Sequence, residues 1–134
     1  MNHLKMFMVL CFGAAFLLMG CTKYGTAVST ITSTNYDNKQ LTVNALITDD
    51  GGCDYYMEQG FCYSLFLPPN MNDIYTTQVK VGNYSEVDTF SASFTLPLVD
   101  TFYYVSAYVK NSAGLSYSPV VKVSTYPPED PESE

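Results

Sequence analysis

The sequence predicts an all-β fold, a seven-stranded antiparallel β-sandwich, on three observations. Thr, Ser, Val and Tyr dominate the middle of the 134-residue chain, and β-branched and aromatic side chains suit a pleated, half-buried surface. Short segments alternate apolar and polar residues with a period of two, as half-buried strands require. Clusters of Gly, Pro, Asn and Asp punctuate those segments, where the chain must turn.

Each strand has its own signature. Val28 to Thr34 is the first candidate. In the second, Leu41, Val43, Ala45 and Ile47 alternate with Thr42, Asn44 and Thr48. Asp49-Asp50-Gly51-Gly52 then marks a turn, since Gly tolerates positive φ and Asp caps its own turn. Tyr55 to Phe66 is the third strand, closed by Pro68-Pro69-Asn70, and Thr76 to Val81 is the fourth, ending at Gly82-Asn83. Thr89 to Leu96 is the fifth and stops at Pro97; Phe102 to Asn111 is the sixth, followed by a turn over residues 111–114. Tyr117 to Thr125 is the seventh, with Pro119 near its start predicting an edge or a bulge. About a hundred residues suffice for such a sandwich without metal or disulfide support.

Ahead of the strands, a polar head with His3 and Lys5 precedes an apolar run from Met6 to Met19, then Gly20 and Cys21. The run is short of the roughly 20 apolar residues that span a bilayer, and its layout is that of a secretory signal. The ending Leu18-Met19-Gly20-Cys21 resembles the lipobox of bacterial lipoproteins. That resemblance implies cleavage before Cys21, acylation of Cys21 and a stable membrane anchor, because several acyl chains hold where one is marginal. Residues 1–20 are thus expected to be the signal peptide, 21–27 the lipidated cysteine and tether, 28–125 the folded domain and 126–134 a disordered acidic tail. The first acid after Cys21 is Asp37. The lipoprotein resemblance therefore favours an outer-membrane anchor and leaves periplasmic or surface facing open.

Charge and missing residue types exclude several function classes. All thirteen acids follow Cys21, against five lysines and no arginine. A nucleic-acid partner, which requires a basic footprint, is not expected. The one histidine, His3, leaves with the signal, so no Cys-His, Ser-His or His-metal chemistry is expected in the mature chain. Asp49, Asp50, Asp54 and Glu58 gather around one loop and read as solvated turn acids. They lack the spaced oxygen ladder of a calcium loop, and no cofactor is expected. An extended third strand would separate Cys53 and Cys62 by about 30 Å, far beyond the roughly 7 Å a disulfide spans; a bridge would require Cys53 to fold back.

Thr101 to Thr125, with Asp49-Asp50-Gly51-Gly52 and Gly60-Phe61-Cys62-Tyr63-Ser64 earlier, is similar to the fibronectin type III-like repeats of bacterial secreted and surface proteins. The resemblance spans roughly residues 28 to 125. The chain has no tryptophan, so Leu41 or Val43 is expected to fill the space of the core tryptophan common in those repeats. Alternation on the sixth strand assigns Tyr103, Val105 and Ala107 to the core, with Tyr103 as a tyrosine corner. It turns Tyr104 and Tyr108 outward, where they form either a sheet-reinforcing aromatic ladder or an interaction face for a protein or glycan. Tyr36, Tyr75 and Tyr84 could add to such a face. The expectation is a lipid-anchored, non-catalytic interaction module of the cell envelope, or alternatively a structural spacer or pilus-assembly component.

Overall fold

Strand alternation is cleanest in Gln40–Asp49, where Leu41, Val43, Ala45 and Ile47 are buried while Asn44 and Thr48 face solvent. Apolar side chains on every second residue give one face to pack, and eight strands pack their faces into two antiparallel sheets. The computed structural model describes residues 25–52, 56–85 and 88–129, with only the backbone of 83–85. The strands are β1 (Val28–Asp37), β2 (Gln40–Asp49), β3 (Tyr56–Ser64), β4 (Thr77–Ser85), β5 (Thr89–Thr95), β6 (Phe102–Asn111), β7 (Gly114–Tyr117) and β8 (Val121–Ser124). One sheet runs β1-β2-β5. The other runs β4-β3-β6-β7, with β8 also paired to β6. The signal peptide and Cys21 lie outside the described residues.

Seven strands were expected and eight form among the described residues, because the last is cut in two. Pro119 has no amide to donate, and at the break Ser118 takes over the ladder. Its Oγ accepts the Ala107 N–H at 2.8 Å, and its own N–H donates to the Ala107 carbonyl at 2.8 Å. Ser106 Oγ donates to the Ser118 carbonyl at 2.8 Å. Ser106 and Ser118 are both buried, so these bonds satisfy groups that would otherwise be costly to desolvate.

Between the sheets lie Leu41, Val43, Phe61, Phe90, Leu96, Tyr103, Val105, Ala107 and Val109. Phe61 and Phe90 meet across them at 5.1 Å between centroids, and Tyr63 stacks on Phe94 at 4.9 Å. Leu41 and Val43 are fully buried in this layer. Tyr103 is 3% exposed, and its hydroxyl accepts the Leu98 N–H at 3.1 Å, five residues upstream. The outer face of β1-β2-β5 is a hydroxyl and carboxamide array, bridged by Gln40–Thr95 at 2.6 Å, Thr42–Ser93 at 2.8 Å and Asn44–Ser33 at 2.9 Å.

Strand directions sort the connections to two ends. Gly25, the ends of β2 and β4, the starts of β3 and β5 and the β6–β7 turn lie at one end, here called proximal. Asn111, 1% exposed, closes that end by donating to the Gly25 and Asp50 carbonyls while its Oδ1 accepts the Ala113 and Gly114 amides. The β1–β2 turn, the β3–β4 and β5–β6 loops and the chain after β8 lie at the opposite, distal end.

Candidate interaction surface

The outward face of β6 is not the exposed aromatic surface that alternation predicts. Tyr108 does turn away from the main core, yet it is completely buried, and Tyr104 is half-buried. Tyr108 lies directly opposite Gly60 of β3. A Cβ on Gly60 would come within 2.7 Å of the Tyr108 ring, so the ring occupies the space that a side chain would take. At its far end the Tyr108 hydroxyl accepts from Gln78 Nε2 at 2.8 Å; the same amide donates to Glu58 at 2.9 Å, and Glu58 pairs with Lys80 at 3.4 Å. Cys62 and Ser106 are fully buried beside it. The β3–β4 loop reaches toward this face, burying Pro69 and donating the Met71 N–H to the Tyr117 hydroxyl at 3.2 Å. Period two predicts which way a side chain points; it does not predict what lies on top of it.

The electrostatics of this layer are those of packing. Burial raises the Tyr108 phenol well above its usual range; the Gln78 hydrogen bond lowers it in part, and the Glu58 carboxylate raises it further. Burial alone pushes the Cys62 thiol up to about 12, so at neutral pH it is a protonated, poorly nucleophilic group. Cys62 is a free thiol; Cys53 lies outside the described residues, as does Asp54. Tyr56, raised first by burial and then by its bond to Asp88 at 2.5 Å, also holds its proton.

The acidic candidates do not converge on one point. Asp49 and Asp50 cap their own turn, accepting the Gly51 and Gly52 amides at 2.9 and 2.6 Å. Glu58 instead sits on the outward face of β3 with Lys80 and Gln78. Among the described residues, no three His, Cys, Asp or Glu side chains gather closely enough to hold a metal. Of the additional tyrosines, Tyr36 packs against the core, Tyr75 is exposed, and the Tyr84 side chain lies outside the described residues.

The prominent exposed surface is instead the distal β3–β4 loop. Phe66 is 58% exposed, Leu67 61%, Tyr75 64% and Ile74 87%, with Leu65 and Leu98 alongside. Phe66 and Tyr75 meet edge to face at 5.5 Å. The polar groups of this loop turn inward on themselves. Asn70 Oδ1 accepts the Asn72 amide at 2.9 Å, and Asp73 Oδ1 accepts the Tyr75 amide at 3.0 Å. Thr76 Oγ1 accepts the Asn70 amide at 3.1 Å, and Ser64 Oγ accepts the Phe66 amide at 3.0 Å. The loop is thus held by its own polar side chains while its apolar ones face water, an arrangement that marks interaction sites. A cleft of about 210 Å³ opens at its base between Tyr63, Leu65, Tyr75 and Leu98, smaller than the roughly 300 Å³ at which small-molecule pockets begin. The sequence alone ends the third strand at Phe66, before Pro68, and of this tip it singles out Tyr75 alone. The available signal was Leu65-Phe66-Leu67, an apolar run abutting a Pro-Pro turn. No family model matches the sequence, and no curated protein matches it.

Proposed function

We propose that the protein is a lipid-anchored, non-catalytic module of the cell envelope that engages another envelope protein through its distal tip. The observation that carries the contact is the preorganised apolar loop, Phe66, Leu67, Ile74 and Tyr75, at the end opposite Gly25. A loop already ordered by its own hydrogen bonds loses little entropy on docking. The anchor rests on Leu18-Met19-Gly20-Cys21, and Gly25 at the proximal end would let an anchored molecule present its tip away from the lipid. The strand order β1-β2-β5 against β4-β3-β6-β7, together with the bond from Leu98 to Tyr103, supports the fibronectin type III-like assignment, in which loops at the sandwich ends carry binding.

The test combines fractionation with capture from detergent-solubilised envelopes. Cys21→Ser should move the protein from membrane to soluble fraction. A partner captured by the parent should be lost with Phe66→Asp/Ile74→Asp and retained with Tyr104→Ser. Recovery of the parent without any partner, or a partner indifferent to the tip substitutions, would sink the contact reading. A spacer role remains the second reading, favoured if the tip variants retain full function while loss of the anchor abolishes it.

A further inference from the structure

Of the sheet edges, one lacks any blunting device. β1 carries two register shifts against β2, and β4 carries Lys80 and pairs with β3 through a shifted register. β7 and β8 are four residues each and separated by Pro119. Such bulges, charges, prolines and short lengths are how sheets avoid edge-to-edge pairing. β5 has none of them. Its seven residues pair with β2 in unbroken register, without charge or proline, and among the described residues β5 pairs with no other strand.

The direction of its free backbone groups follows from the ladder. Leu96 N–H donates to the Lys39 carbonyl at 2.8 Å, and Ile47 N–H donates to the Asp88 carbonyl at 2.7 Å. Both bonds continue the β2–β5 register, so even-numbered β5 residues turn their amides and carbonyls toward β2. Thr89, Ser91, Ser93 and Thr95 therefore direct theirs to the open edge, with exposed side chains.

The sequence of this strand, Thr89-Phe90-Ser91-Ala92-Ser93-Phe94-Thr95, reads the same in both directions. We infer that β5 is a homodimerisation edge, pairing antiparallel with β5 of a second copy about a two-fold axis through Ala92. In that register Ser91 of one copy meets Ser93 of the other, and Thr89 meets Thr95. Each is a hydrogen-bonded pair that exchanges two backbone bonds using the groups already pointing outward. Each pair recurs across the axis, as in any isologous contact, and the palindrome makes the two members of every pair alike. Hydroxyl pairs line the outer face, and the aromatic positions Phe90 and Phe94 correspond on the inner one. Ala92 meets its own copy at a non-hydrogen-bonded position, where the two backbones approach most closely and a small side chain fits. The two three-stranded sheets become one six-stranded sheet. A seven-residue edge buries less than the roughly 1,200–2,000 Å² of a stable interface, so the dimer is weak in dilute solution and forms at high protein concentration, with the two distal tips at opposite ends of the pair.

Oxidative crosslinking of the full-length protein, solubilised in detergent and concentrated, tests this directly. Ala92→Cys places two thiols across the axis within disulfide reach and should give a covalent dimer under mild copper–phenanthroline oxidation. Ser91→Cys offsets the thiols by two residues and should give little. Adding Ser91→Lys/Ser93→Lys to Ala92→Cys sets like charges opposite each other on the exposed face and should abolish the dimer, while the monomer stays folded with only the small loss of unfolding temperature expected from the exposed Thr42–Ser93 bond. The inference fails if Ala92→Cys stays monomeric, if Ser91→Cys or the parent crosslinks as readily, or if the lysines have no effect. None of these outcomes depends on whether the distal tip has a partner.

Discussion

Gly60 and Tyr108 act as one unit, since the ring fills the space that the glycine leaves. Gly60→Ala would drive a Cβ to 2.3 Å from the Val79 carbonyl oxygen as well as into the ring. A backbone atom cannot swing aside, so the expected cost is that of overpacking, about 1–3 kcal/mol. At about 4–8 °C per kcal/mol for a domain of this size, a thermal melt resolves it. Ser118→Ala should cost a similar amount, about 1–3 kcal/mol, because it strands the buried Ala107 N–H without an acceptor; amide exchange at Ala107 should accelerate along with the loss in melting temperature. Cys62 adds a pH signature. Burial pushes its thiol from the ordinary 9.0 up to about 12. The unfolded state therefore holds fewer protons across that window, and stability falls as pH rises from about 9. Tyr56 and Tyr108, also raised, act in the same direction, so Cys62→Ala should lessen the alkaline slope without removing it; denaturant titrations at stepped pH would show an unchanged slope if the buried thiol is not responsible.

At the level of elements, alternation served well where one sheet face meets water and failed where a strand is covered on both sides. β2 alternates with one exception, the half-buried Leu46 on its outer face, and its buried residues were legible. The bounds of β6, Phe102–Asn111, were legible too, but the burial of Tyr108 was not, because it depends on Gly60, Gln78 and the β3–β4 loop, distant in sequence. The split into β7 and β8 was foreshadowed by Pro119, whereas the substitution of Ser118 for the missing ladder contacts was not. The distal loop, Tyr75 apart, escaped notice for a related reason: apolar residues before a double proline read equally well as the end of a buried strand. Phe66→Asp and Ile74→Asp, being on exposed positions, should change stability by less than about 0.5 kcal/mol. A larger loss in a denaturant melt would mean that the tip packs against the fold rather than serving a partner. The palindrome of β5 was in plain view in the sequence, but it carries meaning only once β5 is an open edge.

For the molecule as a whole, the separation of its two ends decides what each surface can reach. Protease shaving of intact cells distinguishes the two facings of an anchored molecule. Cleavage near Ile74, the most exposed large apolar residue among those described, is expected with surface display, and protection until the outer membrane is opened is expected with periplasmic display. The same geometry has a mechanical side. Gly25 enters at one end and Tyr126 leaves at the other, so tension between them runs along the strands. Under such a pull β1 slides against β2 and β8 slides against β6, loading their ladder bonds together instead of unzipping them singly. β8 has only four residues to share that load, against ten in β1. The break at Pro119 therefore sets the first yield point of the fold under load, on the side of the chain that leads into the tail.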